Sequence, residues 1–284
     1  MTSNIQKPKK CHCCGDGEYK QMNELYGHQS LYVREKHMYI PNIEDVVDTY
    51  ICVNPVCKHV YRHYYEDISD FHREGNLRKK QKNEKTSLLD LGTPENVKLK
   101  MDRTRRQFSY VKDFMLQDDL AFEIAPGRGF FLMVAKEYFN TIKGVDIDPG
   151  VIAHNEILNP DIEVKLCSFL DLPEDEKYDV ILAFDFLEHI EELNDFVIKL
   201  YAITNKYVVI QVPVDRPIIP PNYHLLEKPK EHQLPFDGHL HYFSEFSLNN
   251  LLSKDGLFEC AHMYKTFPGE TAGGKELLCV FKKV

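Results

Sequence analysis

Three groups of residues in this chain could do chemistry. The first is the stretch LAFEIAPGRG, Leu120 to Gly129, where Glu123 closes an apolar run and Gly127 and Gly129 stand one residue apart ahead of FFLMVAKEYF. Glycine adopts backbone angles closed to other residues and carries no side chain to hold a ligand off. A helix starting there offers unpaired N–H groups, so a strand, a turn and a helix of this composition form a loop suited to a cofactor. The second group is cysteine. Cys11 and Cys14 form a C-x2-C pair followed by Gly15, and Cys52 and Cys57 form a C-x4-C pair. Two such pairs supply four thiolates to one tetrahedral zinc, with no coordination position left open, so the metal would hold a module together and do no chemistry itself. Cys13, His12, His59 and His63 are alternative ligands. The third group is acid–base. His189 follows the apolar run YDVILAFDFL, His239 and His241 share one face if extended, and Tyr223 and His224 lie in the long loop 214–238. Each could meet an acceptor proton, and each could equally shape a loop or a pocket wall.

These groups need elements to position them. With 284 residues, a net charge of −9, 43% hydrophobic and 28% charged residues, the composition is that of a globular protein with room for a large core. It shows no overall basicity that would demand nucleic acid or an anionic membrane. The basic run Arg73, Arg78, Lys79, Lys80, Lys82 and Lys85 lacks interleaved aromatics and reads as a solvated linker face. No apolar run reaches the roughly 18 residues of a membrane span, and the lysine-bearing start lacks a secretory apolar segment, so the expectation is a cytoplasmic protein whose cysteines bind metal rather than pair.

Along the chain, residues 1–10 read as a polar tail and 11–65 as a zinc-ribbon-like module with short strands in LYVREKHMYI and VVDTYICV. Residues 66–100 read as a helical, basic linker, with the boundary near Thr86, and 101–284 as the main domain. From Leu120 the pattern alternates: LAFEIA, FFLMVAKEYF, TIKGVDID, PGVIAHNEIL, IEVKLC, YDVILAFDFL, ELNDFVIKLYAI and KYVVIQVPV, then the helix EFSLNNLLSKDG and two closing strands, FECAHMYK and ELLCVFKK. Strand–helix alternation gives a Rossmann-like, mostly parallel α/β sheet covered on both faces, and the closing pair gives an antiparallel C-terminal hairpin.

The glycine pattern selects among ligands. A dinucleotide fingerprint needs a small residue where bulky Leu132 stands, and no Gly-Lys-Ser/Thr of a phosphate loop follows. EIAPGRG instead resembles the first motif of the class I S-adenosylmethionine-dependent methyltransferases, with Glu123, Gly127 and Gly129 in place and Ala125 where the family commonly has glycine. The resemblance continues through GVDIDP, KLCSFLDLP, YDVILAFDFLEHI and HLHYFSEFSLNNLLSKDGLFE, spanning about Met101 to Val284 in the family's order. It implies S-adenosyl-L-methionine as cofactor. Asp146, with Ile147 beside it, would take the ribose hydroxyls, Ser168 and Phe169 would border the adenine, and Phe184 would lie near the cofactor. His189 becomes the first candidate base. The N-terminal module, with its structural zinc, is similar to that of sugar methyltransferases, although those carry a further C-terminal domain. The reading is therefore a methyltransferase for a small acceptor, a sugar or natural-product intermediate. An RNA or protein methyltransferase and a non-catalytic binding protein on the same scaffold stand as alternatives.

Overall fold

The computed structural model describes residues 10–15, 19–21, 47–57, 59–64, 93–213, 239–266 and 276–284. The chain forms two compact units, residues 1–83 with 214–251, and residues 84–213 with 252–284. The strand expected at LYVREKHMYI, the linker 66–100 as far as residue 92 with its basic run, the boundary near Thr86, and the candidates Tyr223 and His224 lie outside the described residues.

The first unit carries a four-stranded antiparallel sheet ordered β1-β2-β3-β9. β1 is Tyr19–Gln21, β2 Val47–Cys52, β3 Val60–Tyr64 and β9 His241–Tyr242. β9 pairs with β3 through Tyr61↔His241 and Val60↔Tyr242, and the Arg62 N–H donates to the Leu240 carbonyl at 2.7 Å. Residues 214–251, expected inside a continuous domain from Met101, thus group with the N-terminal residues. The physical reason is the free edge of β3: its N–H and C=O groups need a partner strand, and the Arg62 guanidinium lies 4.8 Å over the Tyr242 ring to hold that partner in register.

The second unit is built on a seven-stranded sheet. Its strands are β4 (Leu120–Ile124), β5 (Thr141–Asp146), β6 (Val164–Leu166), β7 (Tyr178–Phe184), β8 (Thr204–Pro213), β10 (Phe258–Lys265) and β11 (Glu276–Lys283), in the order β10-β11-β8-β7-β4-β5-β6. The pairs β4/β5, β4/β7, β5/β6 and β7/β8 are parallel, whereas β11 pairs antiparallel with both β8 and β10. This is the expected Rossmann-like sheet with an antiparallel C-terminal hairpin. Chain order runs outward from β4 in one direction to β6 and then restarts beside β4 with β7, so the carboxyl ends of β4 and β7 flank the switch point at which such sheets bind ligands.

Helices α1 (Pro94–Val111), α2 (Phe130–Ala135), α3 (Pro149–Leu158) and α4 (Leu193–Ile203) belong to this unit, while α5 (Glu245–Ser253) precedes its last two strands. α1 begins where the sequence commands it: Thr93 accepts from the Asn96 N–H at 3.3 Å, and Pro94 needs no donor at the first helical position. α2 is shorter than FFLMVAKEYF suggests. Its last turn tightens, with Glu137 N–H on Val134 O and Tyr138 N–H on Ala135 O, which folds Phe139 back into the core. The core beneath α1 and α2 joins Phe108 and Val111 to Leu132, Val180, Leu182, Val209 and Val280, with Phe108 stacked on Tyr138 at 4.8 Å and Phe131 on Phe184 at 4.0 Å. Phe108 is fully enclosed, so Phe108→Ala is expected to lower stability by about 3–5 kcal/mol, read as a fall in the urea midpoint with an unchanged slope.

Candidate functional site

The site starts at two adjacent strand ends. β4 and β7 are in register through Ile124↔Ala183, and each strand leaves the sheet through a non-glycine residue in the left-handed region, Ala125 at φ 53° and Asp185 at φ 50°. Such residues cost about 1 kcal/mol or more and persist only where the surroundings hold them. Here the Ala125 N–H is fixed by Val145 O at 2.8 Å and the Asp185 N–H by Gln211 O at 3.0 Å. The turn then continues through Gly127 at φ 53° and Gly129 at φ 72°, the residue that caps α2.

The two glycines do different work. A Cβ on Gly127 would meet nothing within 4 Å, so the loop has an open face there. A Cβ on Gly129 would sit 2.2 Å from Asn155 Oδ1 and 2.7 Å from Asn159 Nδ2. Asn155, fully buried on α3, donates through Nδ2 to the Gly127 and Val151 carbonyls, both at 3.0 Å, and its Oδ1 accepts from Asn159 at 3.1 Å. The loop is therefore clamped on its inner side and accessible on its outer side. Asn155 and Asn159 were not singled out from sequence, because their role depends on the contact with Gly127 and Gly129 some 28 to 30 residues earlier.

Two carboxylates lie on these strands. Glu123 is buried, and its Oε2 has no hydrogen-bond partner among the described residues. Burial holds its carboxyl well above the usual range, and the charge of Asp146 adds to the effect. Asp146 ends β5, its Oδ1 accepting from the Asp148 N–H at 2.9 Å, and burial raises it as well. Asp148 caps α3 through Gly150 N–H at 2.7 Å. Ile147 is exposed beside them. Ser168 accepts from the Leu170 N–H and opens the turn Phe169–Asp171, and Phe169 packs on Phe196 at 5.0 Å. Phe184 does not face outward with them: its ring lies in the aromatic layer with Phe131 and Phe108. It shares its strand face with Val180 and Leu182, and that face is the core.

The histidine candidates separate. His189 ends the turn Leu187–His189 just past β7, half-buried, with Nε2 3.9 Å from Glu188 Oε1. It is placed where a base could act at the carboxyl end of β7. His239 lies in the first unit, its ring 5.9 Å from Tyr242. His241 is fully buried in β9, stacked on His59 at 5.1 Å and on Tyr61 at 5.2 Å, with Nδ1 3.2 Å from His59 Nε2. Its ring is engaged with the cysteine cluster, which the sequence expectation of an acceptor-facing residue did not foresee.

That cluster gathers Cys11, Cys14, Cys52 and Cys57, whose sulfurs all lie within 4.8 Å of one another. Cys11 to Cys57 is 3.7 Å and Cys14 to Cys52 is 3.6 Å. A tetrahedron with metal–sulfur bonds of about 2.3 Å has edges of about 3.8 Å, so the four sulfurs fit a zinc ion. Each knuckle is set locally: Gly15, at φ 70°, donates to Cys11 O at 2.9 Å, and Asn54 Oδ1 accepts from Val56 and Cys57 N–H. Cys11 is held far below the usual thiol range, chiefly by hydrogen bonding with Cys13 and then with Cys57, while burial pushes Cys52 up to about 12. His59 Nδ1 lies 3.8 Å from Cys11 Sγ, so the His59–His241 pair stands behind the ligand in the manner of outer-shell partners. Cys13 is buried and groups with Cys11 and His59. The side chain of His63 lies outside the described residues.

Two outcomes follow from this geometry. Gly129→Ala should destabilise the fold by about 2–4 kcal/mol, because the buried asparagines have nowhere to move, whereas Gly127→Ala should cost only about 1 kcal/mol of backbone strain; thermal and urea unfolding of the two variants will tell them apart. Glu123 gives a pH dependence. The unfolded chain ionises this group near pH 4.3, but the fold retains the proton, so stability falls as pH rises from that value toward the raised folded-state pKa. Glu123→Gln should therefore raise the melting temperature of the cofactor-free protein above about pH 5 and flatten its pH profile.

No curated protein matches the chain. Residues 119–258 match the family model described as a methyltransferase domain. Among solved structures, magnesium protoporphyrin IX methyltransferase from Synechocystis PCC 6803 with bound SAM is similar at 13% identity and a TM-score of 0.52, covering 77% of this chain and 98% of that one. The same enzyme with bound SAH gives 16% identity and 0.52, covering 76% and 97%. N-methyltransferase NodS from Bradyrhizobium japonicum WM9 with SAH gives 14% and 0.49, covering 74% and 97%. The likeness to the protoporphyrin enzyme establishes the fold, and no helix among the described residues is long and apolar enough to cross a membrane. Residues 119–258 thus match a methyltransferase domain, and the sheet that carries them has the fold seen in the methyltransferase with bound SAM.

Proposed function

We propose that the protein methylates a small-molecule acceptor, a sugar or natural-product intermediate, and that Cys11, Cys14, Cys52 and Cys57 hold a structural zinc. The observation that carries the cofactor reading is the pairing of an open glycine face at Gly127 with two buried carboxyl groups, Glu123 and Asp146, the former with an oxygen that has no hydrogen-bond partner among the described residues. This set suits a ligand with a ribose diol at one end and an ammonium group at the other. When bound, S-adenosylmethionine supplies a methyl group already activated by a sulfonium cation.

The chain's own residues then bind, orient and exclude. The main chain from Ala125 to Gly129 meets the amino-acid end, and Asp146, oriented by the Asp148 N–H, meets the ribose hydroxyls. Ser168 and Phe169 border the adenine side, Ser168 mainly through the turn it caps. His189 is the candidate base for an acceptor that is protonated when it binds, with Glu188 beside its ring. Positioning contributes much of such a reaction's rate, which is what a clamped loop provides. The small-acceptor reading is supported by the family match and by the protoporphyrin methyltransferase on the same fold. The zinc is supported by sulfur spacing and by an all-protein donor set.

Calorimetry should show S-adenosylhomocysteine binding to the wild type and no binding of NAD. Gly127→Val should lose that affinity by at least about tenfold while remaining folded. If S-adenosylhomocysteine does not bind the wild type, the cofactor reading is wrong. Transfer of labelled methyl from the cofactor into a panel of nucleotide-linked sugars tests the acceptor class, and label appearing in RNA or protein instead would sink it. Elemental analysis should find one zinc per chain, reduced by Cys57→Ser; a metal-free protein with the same stability would remove the claim.

A further inference from the structure

Asp185 occupies the first position past β7, beside the Ala125–Gly129 turn, and is exposed there in a left-handed conformation. It is held at two points by one residue. Its N–H donates to Gln211 O at 3.0 Å, and Gln211 Nε2 donates to its Oδ1 at 3.0 Å. Gln211 is itself fully buried in β8 within the run VVIQV, directly opposite Phe184, and its Oε1 accepts from Gln107 Nε2 of α1 at 2.5 Å. Two amides are thus carried inside the core in line with one surface carboxylate. Burying an amide in place of an aliphatic side chain is unfavourable unless its hydrogen bonds are used, and the Gln107 Oε1 is left without a partner among the described residues. Apolar residues at 107 and 211 would pack as well. What they could not do is fix the Asp185 carboxylate, whose Oδ2 receives no hydrogen bond from the described residues.

We propose that Asp185 is the acceptor-binding carboxylate of this methyltransferase. Its Oδ2 accepts a hydrogen bond from the hydroxyl or neutral amine that is to be methylated. The acceptor's lone pair takes the methyl as the S–CH3 bond breaks to a neutral thioether; a hydroxyl proton passes to Oδ2 and on to solvent, while an amine keeps its proton as the methylammonium product. Gln211 and Gln107 are positioning residues acting through Asp185. This deepens the cofactor reading and rests on it. It also narrows the acceptor to molecules that carry a donor on the methylated atom, which suits a sugar hydroxyl or amine and not a methylated carbon or a tertiary amine.

The test needs no knowledge of the acceptor. Sinefungin is an analogue of S-adenosylmethionine in which a carbon bearing a protonated amine replaces the methylated sulfonium, so it places a cationic donor where methyl and acceptor meet. S-adenosylhomocysteine has no such group. Calorimetry on the full chain should show Asp185→Asn weakening sinefungin by about tenfold or more while S-adenosylhomocysteine changes by less than about twofold. Gln211→Leu and Gln107→Leu should shift the same ratio by less, with folding checked by thermal unfolding. A sinefungin-to-homocysteine affinity ratio in Asp185→Asn equal to that of the wild type overturns the proposal. Failure of the wild type to bind S-adenosylhomocysteine at all overturns the cofactor reading instead, and this inference with it.

Discussion

Everything at the ligand end of the second unit depends on one clamp, the Asn155 amide held between the carbonyl of Gly127 and the bare Cα of Gly129. A glycine-rich turn left to itself samples many conformations, and ordering it on ligand binding would subtract from affinity. The buried asparagine pair settles that ordering during folding. It fills the space a Cβ would occupy at residue 129 and leaves the space at residue 127 empty, so the turn presents one defined face. The strain at Ala125 and Asp185 belongs to the same arrangement: two neighbouring parallel strands stop abruptly together, and the sheet behind them absorbs the cost.

The carboxylates show the same division between folding and use. Glu123 sits in the core side of this site with an oxygen that nothing among the described residues satisfies, next to the Asp146 carboxyl. A core optimised only for stability would not keep it there. Its retention is an example of a site held slightly unstable so that a cation can be welcome. The cysteine cluster has the opposite character. Every feature around it closes it off: tight knuckles, a buried histidine pair, the Asn250 amide donating to Cys13 O and the Ser244 hydroxyl donating to Cys57 O. These are attributes of a centre that holds a shape.

Much of this was legible in the sequence, for identifiable reasons. The parallel sheet announces itself because its strands are short apolar runs between amphipathic segments, and the closing hairpin because two strands follow one another with only a turn-rich stretch between. Cysteine spacing gave the four sulfurs directly, since a knuckle is a local structure. What was not legible is what depends on contacts far apart in sequence. His241 lies in a two-residue strand, too short to show any periodicity, and its partner strand is some 180 residues earlier. Phe184 could have been assigned to the core by counting alternate residues from Val180, but motif likeness drew it toward the ligand. Asp185 and Gln211 look like an ordinary loop acid and an out-of-place glutamine until the strand pairing brings them together.

The short strand β9 has an implication for how the molecule comes into being. The first unit is discontinuous, made from the chain's beginning and from residues in its last quarter, so β9, which pairs with the edge of β3, leaves the ribosome only after β4 to β8. An exposed β edge next to four reduced thiols is a species prone to misjoining, by strand exchange with another nascent chain or by oxidation. Early capture of a metal ion by the two knuckles would shield the sulfurs through that interval. On this view the cell's supply of the ion at the moment of synthesis would bear on yield as well as on the finished protein.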